Sequence, residues 1–574
     1  MFFAMYRGPD QSDWRRHVEE HARWLGLVSA YDTVGAFTCA QLSKVGEPPA
    51  ISRVGDAIRL CTIRPTANNA MTIAASEPAG NDIRIAHRLG TDTVRVHVPP
   101  ATPEQVVFWA ADGGFCLSND LRLIGRIGCA RLDRRAVHAL LQYGAIPAPL
   151  TLLSGVERAA PGHVTSIDVS SGVATAVVEP LQPREAAGAL RLDRCLDAIL
   201  DTAPKGSVLT FSGGVDSGLL AARLSALGRT DVSLLNFSFG DADPEAKHAA
   251  AMARHFHLNF EQTTYEPTEM NAFLSDVGRE YTYPFGDFAT ISTNLVVRAG
   301  IKMAPDAPQF IDGTGADGAF GVGQLATWQR LYRLPRPLLL GAAELYSRAE
   351  LWRRPSRFEH HTRVLRRAAQ MPLLEAAVVA TNALDGVLYR LPRADRAYLS
   401  RTIQTYIIDC APSTDVRDRY QWLDLLHICA GEYAAKSFDP LRMRGVRAVF
   451  PFLEPDLLAE AFAMPRELKY TYRDAKLALK TSLAASVPAE LVYRPKSGFV
   501  PPLDGWLTEE PLRGVVQRIS TEPGALADYI EVTGLRRIVE CATEGQPLTQ
   551  GVKNFVWMVT FLKLWLDQQP WFAG

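Results

Sequence analysis

The sequence of 574 residues has few cysteines and no apolar run long enough to cross a bilayer. The best candidate for such a run, residues 555–566, is short and contains Lys563, which predicts a buried C-terminal helix instead. The first ten residues lack the basic segment and long apolar run of a signal peptide, so we expect a cytoplasmic protein with no membrane insertion. The absence of any CxxC pair excludes the usual zinc and disulfide spacings and favours reduced thiols at Cys39, Cys61, Cys116, Cys129, Cys195, Cys410, Cys429 and Cys541.

Neither sign of charge is in excess, since 61 Lys and Arg residues stand against 62 Asp and Glu residues. This balance offers no overall basic character for nucleic acid, and we expect no nucleic-acid partner. The chain is 47% hydrophobic and 21% charged, as is typical of globular proteins. Its length is too great for a single core, so we predict two or more domains.

The pattern of apolar residues changes along the chain. Short alternating segments at 57–63, 93–98, 106–110 and 164–169 predict an antiparallel sandwich. A polar segment with two prolines at 180–186 predicts a linker. After Ser207, strands at 208–211 and 232–238 alternate with helices at 219–227 and 246–255, which is typical of a parallel sheet with crossover helices. Beyond about residue 330 the pattern is mostly helical.

The stretch Ser212-Gly-Gly-Val-Asp-Ser217 separates the strand at 208–211 from a helix. It lacks the Gly-Lys-Ser/Thr of a Walker loop and is not a GxGxxG motif. A glycine-rich turn before a helix leaves backbone N–H groups available to phosphate, and Asp216 is placed to hold a cation that bridges phosphates. The alternative is an ordinary tight turn in which Ser217 or Asp216 caps the helix.

A second glycine-rich turn with an acid lies at residues 311–321, in the stretch IDGTGADGAFG. Alone it is equally consistent with an ordinary loop. If the strands before the two turns are neighbours in a parallel sheet, their carboxyl ends bring Asp216 and Asp317 together, and the two acids can share a magnesium ion.

The order of these and further motifs resembles the asparagine synthetase B family, whose synthetase half carries the PP-loop of the ATP pyrophosphatases. The motifs that carry the resemblance are SGGVDS, GTGADGAFG, PFLEP at 451–455, K-x-x-x-K at 476–480, RPKSGF at 494–499, LKLWL at 562–566 and, upstream, SNDLR at 118–122, LDRRA at 132–136 and TLLSGVERAAPGH at 151–163. The resemblance implies an α/β protein of two domains. Residues 1–185 would form a degenerate αββα (Ntn-type) glutaminase-like sandwich, and residues 186–574 an ATP-binding PP-loop α/β synthetase domain with a helical C-terminal part.

The resemblance also implies a set of site residues. Asp216 and Asp317 would bind Mg²⁺, and Lys476 and Lys496 would act as catalytic cations. Lys496 lies in a loop beside Gly498, where a cation can stabilise departing pyrophosphate, whereas Lys480 is expected to be a solvated helix residue. ATP would contact Leu209, Ser212, Gly213, Gly214, Asp216, Ser217, Phe237, Ser238, Gly313 and Gly315.

Two departures from the family pattern affect the expected reaction. The family's glutaminase nucleophile is a cysteine directly after the initiator methionine; here Phe2 and Phe3 follow Met1, so we expect no hydrolysis of glutamine. The glutamate that commonly precedes the PFL motif is replaced by Arg447. Glu432 and Tyr433 are the upstream candidates for the general base, although both could equally be ordinary helix residues.

Members of the family without the cysteine include β-lactam synthetases, carbapenam synthetases and lasso peptide cyclases, in which an amine of the substrate itself attacks the adenylated carboxylate. We predict a lasso peptide cyclase, which adenylates an Asp or Glu side chain of a leaderless core peptide and joins it to the peptide's N-terminal amine. The expected partners are that peptide, a leader-binding protein and a leader peptidase. The alternatives are a β-lactam or carbapenam-type synthetase, an ammonia-dependent asparagine synthetase, and an inactive peptide-binding scaffold.

Overall fold

The structure is a computed structural model of the chain. It describes residues 2–572 except 10, 35–36, 44–50, 55–56, 61–82, 88–91, 112–113, 129–130, 180, 182–188, 239, 241–242, 265, 324, 351–357, 380–387, 472–473, 495–501 and 547.

The N-terminal part contains two antiparallel six-stranded sheets, as the alternating segments predict. One has the strand order β10-β8-β9-β1-β3-β2 and the other β12-β11-β7-β6-β5-β4. The strands are β1 (Phe2–Arg7), β2 (Val28–Val34), β3 (Phe37–Ser43), β4 (Ile51–Val54), β5 (Ala57–Leu60), β6 (Arg84–His87), β7 (Thr93–Val98), β8 (Val107–Ala111), β9 (Gly114–Ser118), β10 (Glu157–Arg158), β11 (His163–Asp168) and β12 (Ala174–Val178). The helices in this part are α1 (Gln11–Leu25), α2 (Leu121–Ile127) and α3 (Arg134–Tyr143).

The alternation of side chains along β1 explains how the two sheets are covered. Phe3 and Met5 point into a cluster with side chains of β7 and β11, so this face packs against the second sheet. Phe2 and Tyr6 point to the opposite face, into a cluster with side chains of α1, α2 and α3. Each sheet is therefore buried on the face that its apolar positions define.

The C-terminal part is built on a five-stranded parallel sheet with the order β15-β14-β13-β16-β17. The strands are β13 (Val208–Thr210), β14 (Ser233–Ser238), β15 (Asn259–Thr264), β16 (Gln309–Ile311) and β17 (Arg447–Val449). The accompanying helices are α4 (Ala189–Asp201), α5 (Val215–Ala226), α6 (Pro244–Ala253), α7 (Pro267–Glu280), α8 (Thr290–Met303) and α9 (Ala316–Phe320).

Beyond residue 330 the described chain is helical apart from β17, as predicted. The helices are α10 (Leu325–Leu331), α11 (Arg336–Glu350), α12 (Phe358–Gln370), α13 (Leu373–Ala377), α14 (Arg393–Tyr406), α15 (Val416–Leu423), α16 (Ala435–Met443), α17 (Pro455–Ala463), α18 (Arg466–Lys469), α19 (Leu477–Ala484), α20 (Ala489–Val492), α21 (Leu503–Thr508), α22 (Leu512–Thr521), α23 (Val532–Thr543) and α24 (Gln550–Asp567). A π-helix spans Asp424–Ala434, and short 3₁₀ turns span Ile408–Cys410, Pro451–Leu453 and Gly524–Asp528. Within the described part of the chain, no helix is long and apolar enough to span a membrane.

The helix after SGGVDS differs from the prediction. The sequence suggests a start at Leu219, because Gly218 reads as a helix boundary, but α5 begins at Val215, directly after the glycine pair. Gly218 therefore lies inside the helix. A Cβ at this position would approach the Met252 Sδ to 2.9 Å and a Leu483 methyl to 3.1 Å. Glycine at this position therefore permits close packing and does not end the helix.

The N-terminal and C-terminal parts share a buried interface. The fully buried Arg122 is held by Asp120 and donates through Nη1 to the carbonyl oxygens of Gly278 (3.2 Å) and Tyr281 (3.4 Å) around the end of α7. The cluster that covers the outer face of the first sheet also includes the buried side chains of α24. The predicted boundary at 185/186 lies outside the described residues and stays a prediction.

Candidate active site

The turn between β13 and α5 leaves the start of the helix without a side-chain cap. Its N-cap residue is Gly214, which has no side chain to cap the helix, and Asp216 and Ser217 lie inside its first turn. Gly213 has φ +72°, and a Cβ there would lie 2.6 Å from the Cα of Ala249. Only glycine fits this close approach to α6. The Ser212 hydroxyl accepts from the Gly214 N–H at 3.2 Å and lies 3.2 Å from the Ser217 hydroxyl.

The second glycine-rich turn lies directly beside the first. β13 and β16 are parallel neighbours, with Leu209 opposite Ile311, so their carboxyl ends share one edge of the sheet. A Cβ on Gly313 would lie 3.2 Å from the Asp216 Cβ and 3.3 Å from the Ser217 nitrogen. At Gly315 the backbone has φ +105°, and a Cβ would meet Leu453 at 2.5 Å. The structure thus brings the two predicted turns into contact.

Asp312 fixes the shape of the second turn, a role that the sequence analysis missed. Its Oδ1 accepts from the Thr314 N–H at 2.9 Å and from the Thr314 hydroxyl at 2.7 Å. Its Oδ2 accepts from the Ser437 hydroxyl at 3.2 Å, which ties the turn to α16. An Asp two residues before Thr in a glycine-rich stretch is a signal for such a turn and could have been recognised.

Lys476 joins the two turns. Its Nζ donates to Asp216 Oδ2 at 2.6 Å and lies 2.8 Å from Asp317 Oδ1. Burial disfavours the charged ammonium, but the charges of the two carboxylates outweigh burial and raise the pKa of Lys476. The residue adopts φ +59°, a costly conformation for a side chain other than glycine, and its N–H donates to the Phe320 carbonyl at 3.0 Å. This bond holds the start of α19 against α9, the helix that carries Asp317.

The two carboxylates fit the predicted magnesium site. They converge on one cation, the Lys476 ammonium, at the edge of the sheet where α5 begins. Within the described residues, no group of three or more His, Cys, Asp or Glu side chains is arranged to hold a metal ion. Mg²⁺ commonly uses only one or two carboxylates together with substrate phosphates and water, so a pair is sufficient for metal that arrives with ATP.

Three acidic side chains lie on and beside the π-helix, next to this edge of the sheet: Asp424, Glu432 and Asp287. We call them the acidic wall. Burial and the charge of Asp317 raise the pKa of Asp424 to about 7. Glu432 is 3% exposed, and its Oε1 has no hydrogen-bond partner in the described chain. Burial and the charge of Asp287 raise the pKa of Glu432, and the nearby ammonium of Lys436 opposes this shift. Lys436 itself donates to Asp287 at 2.5 Å.

Of these groups, the sequence analysis selected Glu432 and missed Asp424, Asp287 and Lys436. The reason is that their proximity depends on the π-helix, whose wider turn is set by tertiary packing and leaves no periodic signal in the sequence. The Tyr433 ring is 40% exposed and has the Lys436 Nζ 4.6 Å from its centroid. Tyr433 therefore lies at the rim of the acidic wall.

The remaining predicted residues differ in how the structure places them. The side chains of Leu209 and Phe237 are buried in apolar clusters, so only their backbones are available to a nucleotide. Ser238 ends β14 and donates to the Gly240 carbonyl at 2.9 Å. Lys496 lies outside the described residues. Arg447 starts β17, the edge strand beside β16.

The expectation that glutamine is not hydrolysed is not tested by this arrangement and stays a prediction. The Phe2 side chain is buried at the start of β1, with the Arg442 guanidinium 4.3 Å from the ring centroid. Arg442, on α16, also pairs with Glu104 at 3.1 Å, so this end of β1 is packed against the C-terminal part.

Several known proteins resemble this chain in sequence. The model of the asparagine synthase family matches residues 193–567. A Mycobacterium tuberculosis H37Rv protein, provisionally named a glutamine-hydrolyzing asparagine synthetase, is 26% identical over 420 residues, which cover 68% of this chain and 61% of that protein. The Bacillus subtilis glutamine-hydrolyzing asparagine synthetase 1 is 23% identical over 429 residues, which cover 70% of this chain and 64% of that protein. The matched region thus spans less than two thirds of the length of either relative.

One solved structure aligns at a lower level. It is the glutamine phosphoribosylpyrophosphate amidotransferase from B. subtilis complexed with ADP and GMP, with 6% identity and a TM-score of 0.19. The alignment covers 55% of this chain and 82% of that chain. A TM-score this low does not establish a shared fold.

Proposed function

Because the chain belongs to the asparagine synthase family, we propose that it is an ATP-dependent amide ligase that forms an acyl-adenylate and releases AMP and pyrophosphate. The observation that carries this proposal is the contact between the two glycine-rich turns around Lys476. ATP phosphates are negatively charged and need N–H donors and cations, and this edge of the sheet offers both.

The first step joins a substrate carboxylate to the α-phosphorus of ATP. A carboxylate oxygen attacks the phosphorus, and the bond from phosphorus to the pyrophosphate oxygen breaks. Backbone N–H groups at Gly213 and the start of α5 bind the phosphates, and Lys476 compensates their charge. Asp216 and Asp317 would hold Mg²⁺, which when bound neutralises charge on the pyrophosphate leaving group.

The second step is attack of an amine nitrogen on the acyl carbon, with AMP as the leaving group. The amine must lose a proton, and the acidic wall beside the sheet edge is the place where the chain can accept one. We assign this role to Glu432, because its buried Oε1 has no hydrogen-bond partner among the described residues, and burial together with the charge of Asp287 raises its pKa and so makes the carboxylate more basic. Tyr433, at the rim, would contact the incoming amine.

We assign the amine to the same molecule as the carboxylate. In this proposal the substrate is a leaderless core peptide, the carboxylate is an Asp or Glu side chain, and attack by the N-terminal amine closes a macrolactam, as in lasso peptide cyclases. A tethered amine has a high effective concentration and requires no supply of ammonia. A leader-binding protein and a leader peptidase would prepare the peptide.

The relatives favour a second candidate, an asparagine synthetase, because both carry that name. The two candidates use the same adenylation step and differ in the substrate. One experiment separates them: purified protein with ATP and Mg²⁺ receives either the leaderless form of a short peptide encoded beside its gene, or free aspartate with ammonia or glutamine. Mass spectrometry then identifies the products.

The proposal predicts a peptide product lighter by one water and no asparagine. Acetylation of the peptide's N-terminus should prevent that product, and Asp216→Asn should prevent both the product and pyrophosphate release. Formation of asparagine with a peptide that stays linear would replace the macrolactam assignment by asparagine synthesis. The absence of pyrophosphate with every substrate would favour a peptide-binding scaffold.

A further inference from the structure

Four leucines are exposed within twelve residues around the start of α11. The exposed fractions are 48% for Leu334, 63% for Leu338, 44% for Leu340 and 71% for Leu345. Leu339 and Ala343 form the buried side of the helix, which packs against α12. Leu340, two residues after Leu338, lies about 200° around the helix from it, so we call Leu334, Leu338 and Leu345 the leucine patch. Leu338 and Leu345 are seven residues apart, so they share one face of α11 with the exposed Gly341 between them.

The segment around the leucine patch is strongly basic in a chain whose net charge is −1. From residue 330 to residue 367 the sequence contains ten arginines and three glutamates, and no lysine or aspartate. Arg363 and Arg367 are buried and Arg366 pairs with Glu344, so these three do not add to the charge at the patch. Arg333 and Arg336, which flank Leu334, are exposed. The patch therefore combines protruding apolar side chains with positive charge, and its occupant should be apolar and anionic.

Three kinds of occupant are conceivable, and the residues favour one. A second copy would bring two basic segments of the same sign together, which costs free energy. The cores of protein–protein interfaces are enriched in aromatic residues and methionine, and leucine is under-represented among their hot spots, whereas the exposed apolar side chains here are leucines. Insertion into lipid needs only apolar area beside basic groups at the headgroup level.

We propose that the leucine patch, with Arg333 and Arg336, docks the protein on the surface of an anionic lipid bilayer. The leucines enter the boundary between headgroups and acyl chains, and the arginines contact anionic headgroups. This attachment is peripheral and does not depend on the reaction proposed above.

The test is co-sedimentation of the full chain with vesicles of phosphatidylcholine alone and with vesicles of equal parts phosphatidylcholine and phosphatidylglycerol. The protein should sediment with the phosphatidylglycerol vesicles only, and added salt should weaken binding. The double variant Leu338→Ser/Leu345→Ser should lower the partition coefficient about tenfold. Leu468→Ser, a control at a leucine of α18 that is 46% exposed, should bind like the wild type.

Two further variants test charge and insertion separately. Arg333→Gln/Arg336→Gln should weaken binding to phosphatidylglycerol vesicles, while Arg417→Gln, at an exposed arginine on α15, should not. In Leu345→Trp, the fluorescence of the new tryptophan should shift to shorter wavelength when vesicles are added. Failure of the wild type to bind phosphatidylglycerol vesicles, or equal binding by the double leucine variant, would overturn the proposal. Binding to polyglutamate without binding to vesicles would overturn it in favour of an acidic protein partner.

Discussion

Replacing Lys476 by methionine should destabilise the protein by removing the cation between two carboxylates. The Lys476 side chain is 8% exposed, whereas the side chains of its partners Asp216 and Asp317 are 20% and 67% exposed. Loss of one member of a fully buried pair costs about 3–5 kcal/mol. Solvent screens Asp317, so we expect about 1–3 kcal/mol here, because Asp216 alone keeps most of the uncompensated charge.

Thermal unfolding followed by dye binding, without nucleotide, measures this effect. The melting temperature of Lys476→Met should fall by roughly 1–3 °C, because the entropy of unfolding is about 2.1 cal/mol/K per residue and the chain has 574 residues. Lys480→Met is the matched control. The Lys480 side chain is 17% exposed and so less solvated than the sequence predicts, but its partner Asp474 is 42% exposed, and a pair screened in this way contributes at most about 1 kcal/mol. The double variant Lys476→Met/Asp216→Asn should recover much of the loss, since the buried charge is then absent.

The loss of stability caused by Lys476→Met should depend on pH. The folded state raises the pKa of Lys476, so its contribution to stability is present below the ordinary lysine pKa and is lost as pH rises through the folded value. The melting difference between wild type and Lys476→Met should therefore be full at pH 7 and shrink at strongly alkaline pH. Equal melting temperatures for the wild type and Lys476→Met at pH 7, or strictly additive effects in the double variant, would refute the electrostatic account of this site.

Three more predictions concern the turns and the acidic wall. Gly213→Ala should lower both the melting temperature and the affinity for ATP, because Gly213 has φ +72° and the new Cβ would lie 2.6 Å from the Ala249 Cα. Gly505→Ala, at a helical glycine with open space around it, is the control. Equal effects of the two substitutions would contradict the steric argument. Lys496→Ala should reduce pyrophosphate release on the order of a hundredfold or more, and near-normal turnover with normal ATP affinity would show the lysine to be a surface cation. The folded protein raises the pKa of Asp424 to about 7, so ionisation of this carboxyl destabilises the fold once the pH exceeds its unfolded pKa of about 4. Asp424→Asn should therefore have little effect below about pH 4 and should stabilise the protein above pH 7. A difference between the two melting temperatures that does not change with pH would exclude that cause.

The sequence predicts the elements that carry local signals. Short apolar runs next to glycine and acidic residues locate β13, β14 and both glycine-rich turns to within one or two residues, because strand and turn chemistry are local properties. The start of α5 is misplaced because Gly218 serves packing against Met252 and Leu483, residues from elsewhere in the chain. Its role depends on tertiary structure and has no local signature.

The same distinction applies to the site. Asp216 and Asp317 can be predicted because each follows a strand in a glycine-rich stretch, and parallel strands place such residues at one edge. The left-handed backbone of Lys476 and the π-helix that positions Asp424 cannot be predicted, since both depend on contacts made across the fold. The contacts of Arg122 with the end of α7 join residues more than a hundred positions apart and are equally invisible in the sequence.

The central claim is that the chain adenylates a carboxylate at the edge formed by the two turns. The most direct measurement labels the substrate carboxylate with oxygen-18 and follows the label by mass spectrometry during turnover with ATP. One labelled oxygen should pass to AMP, because that oxygen forms the bond to the α-phosphorus and leaves with AMP when the amine attacks; the amide product should keep the other. Unlabelled AMP, or formation of ADP and phosphate in its place, would contradict the account.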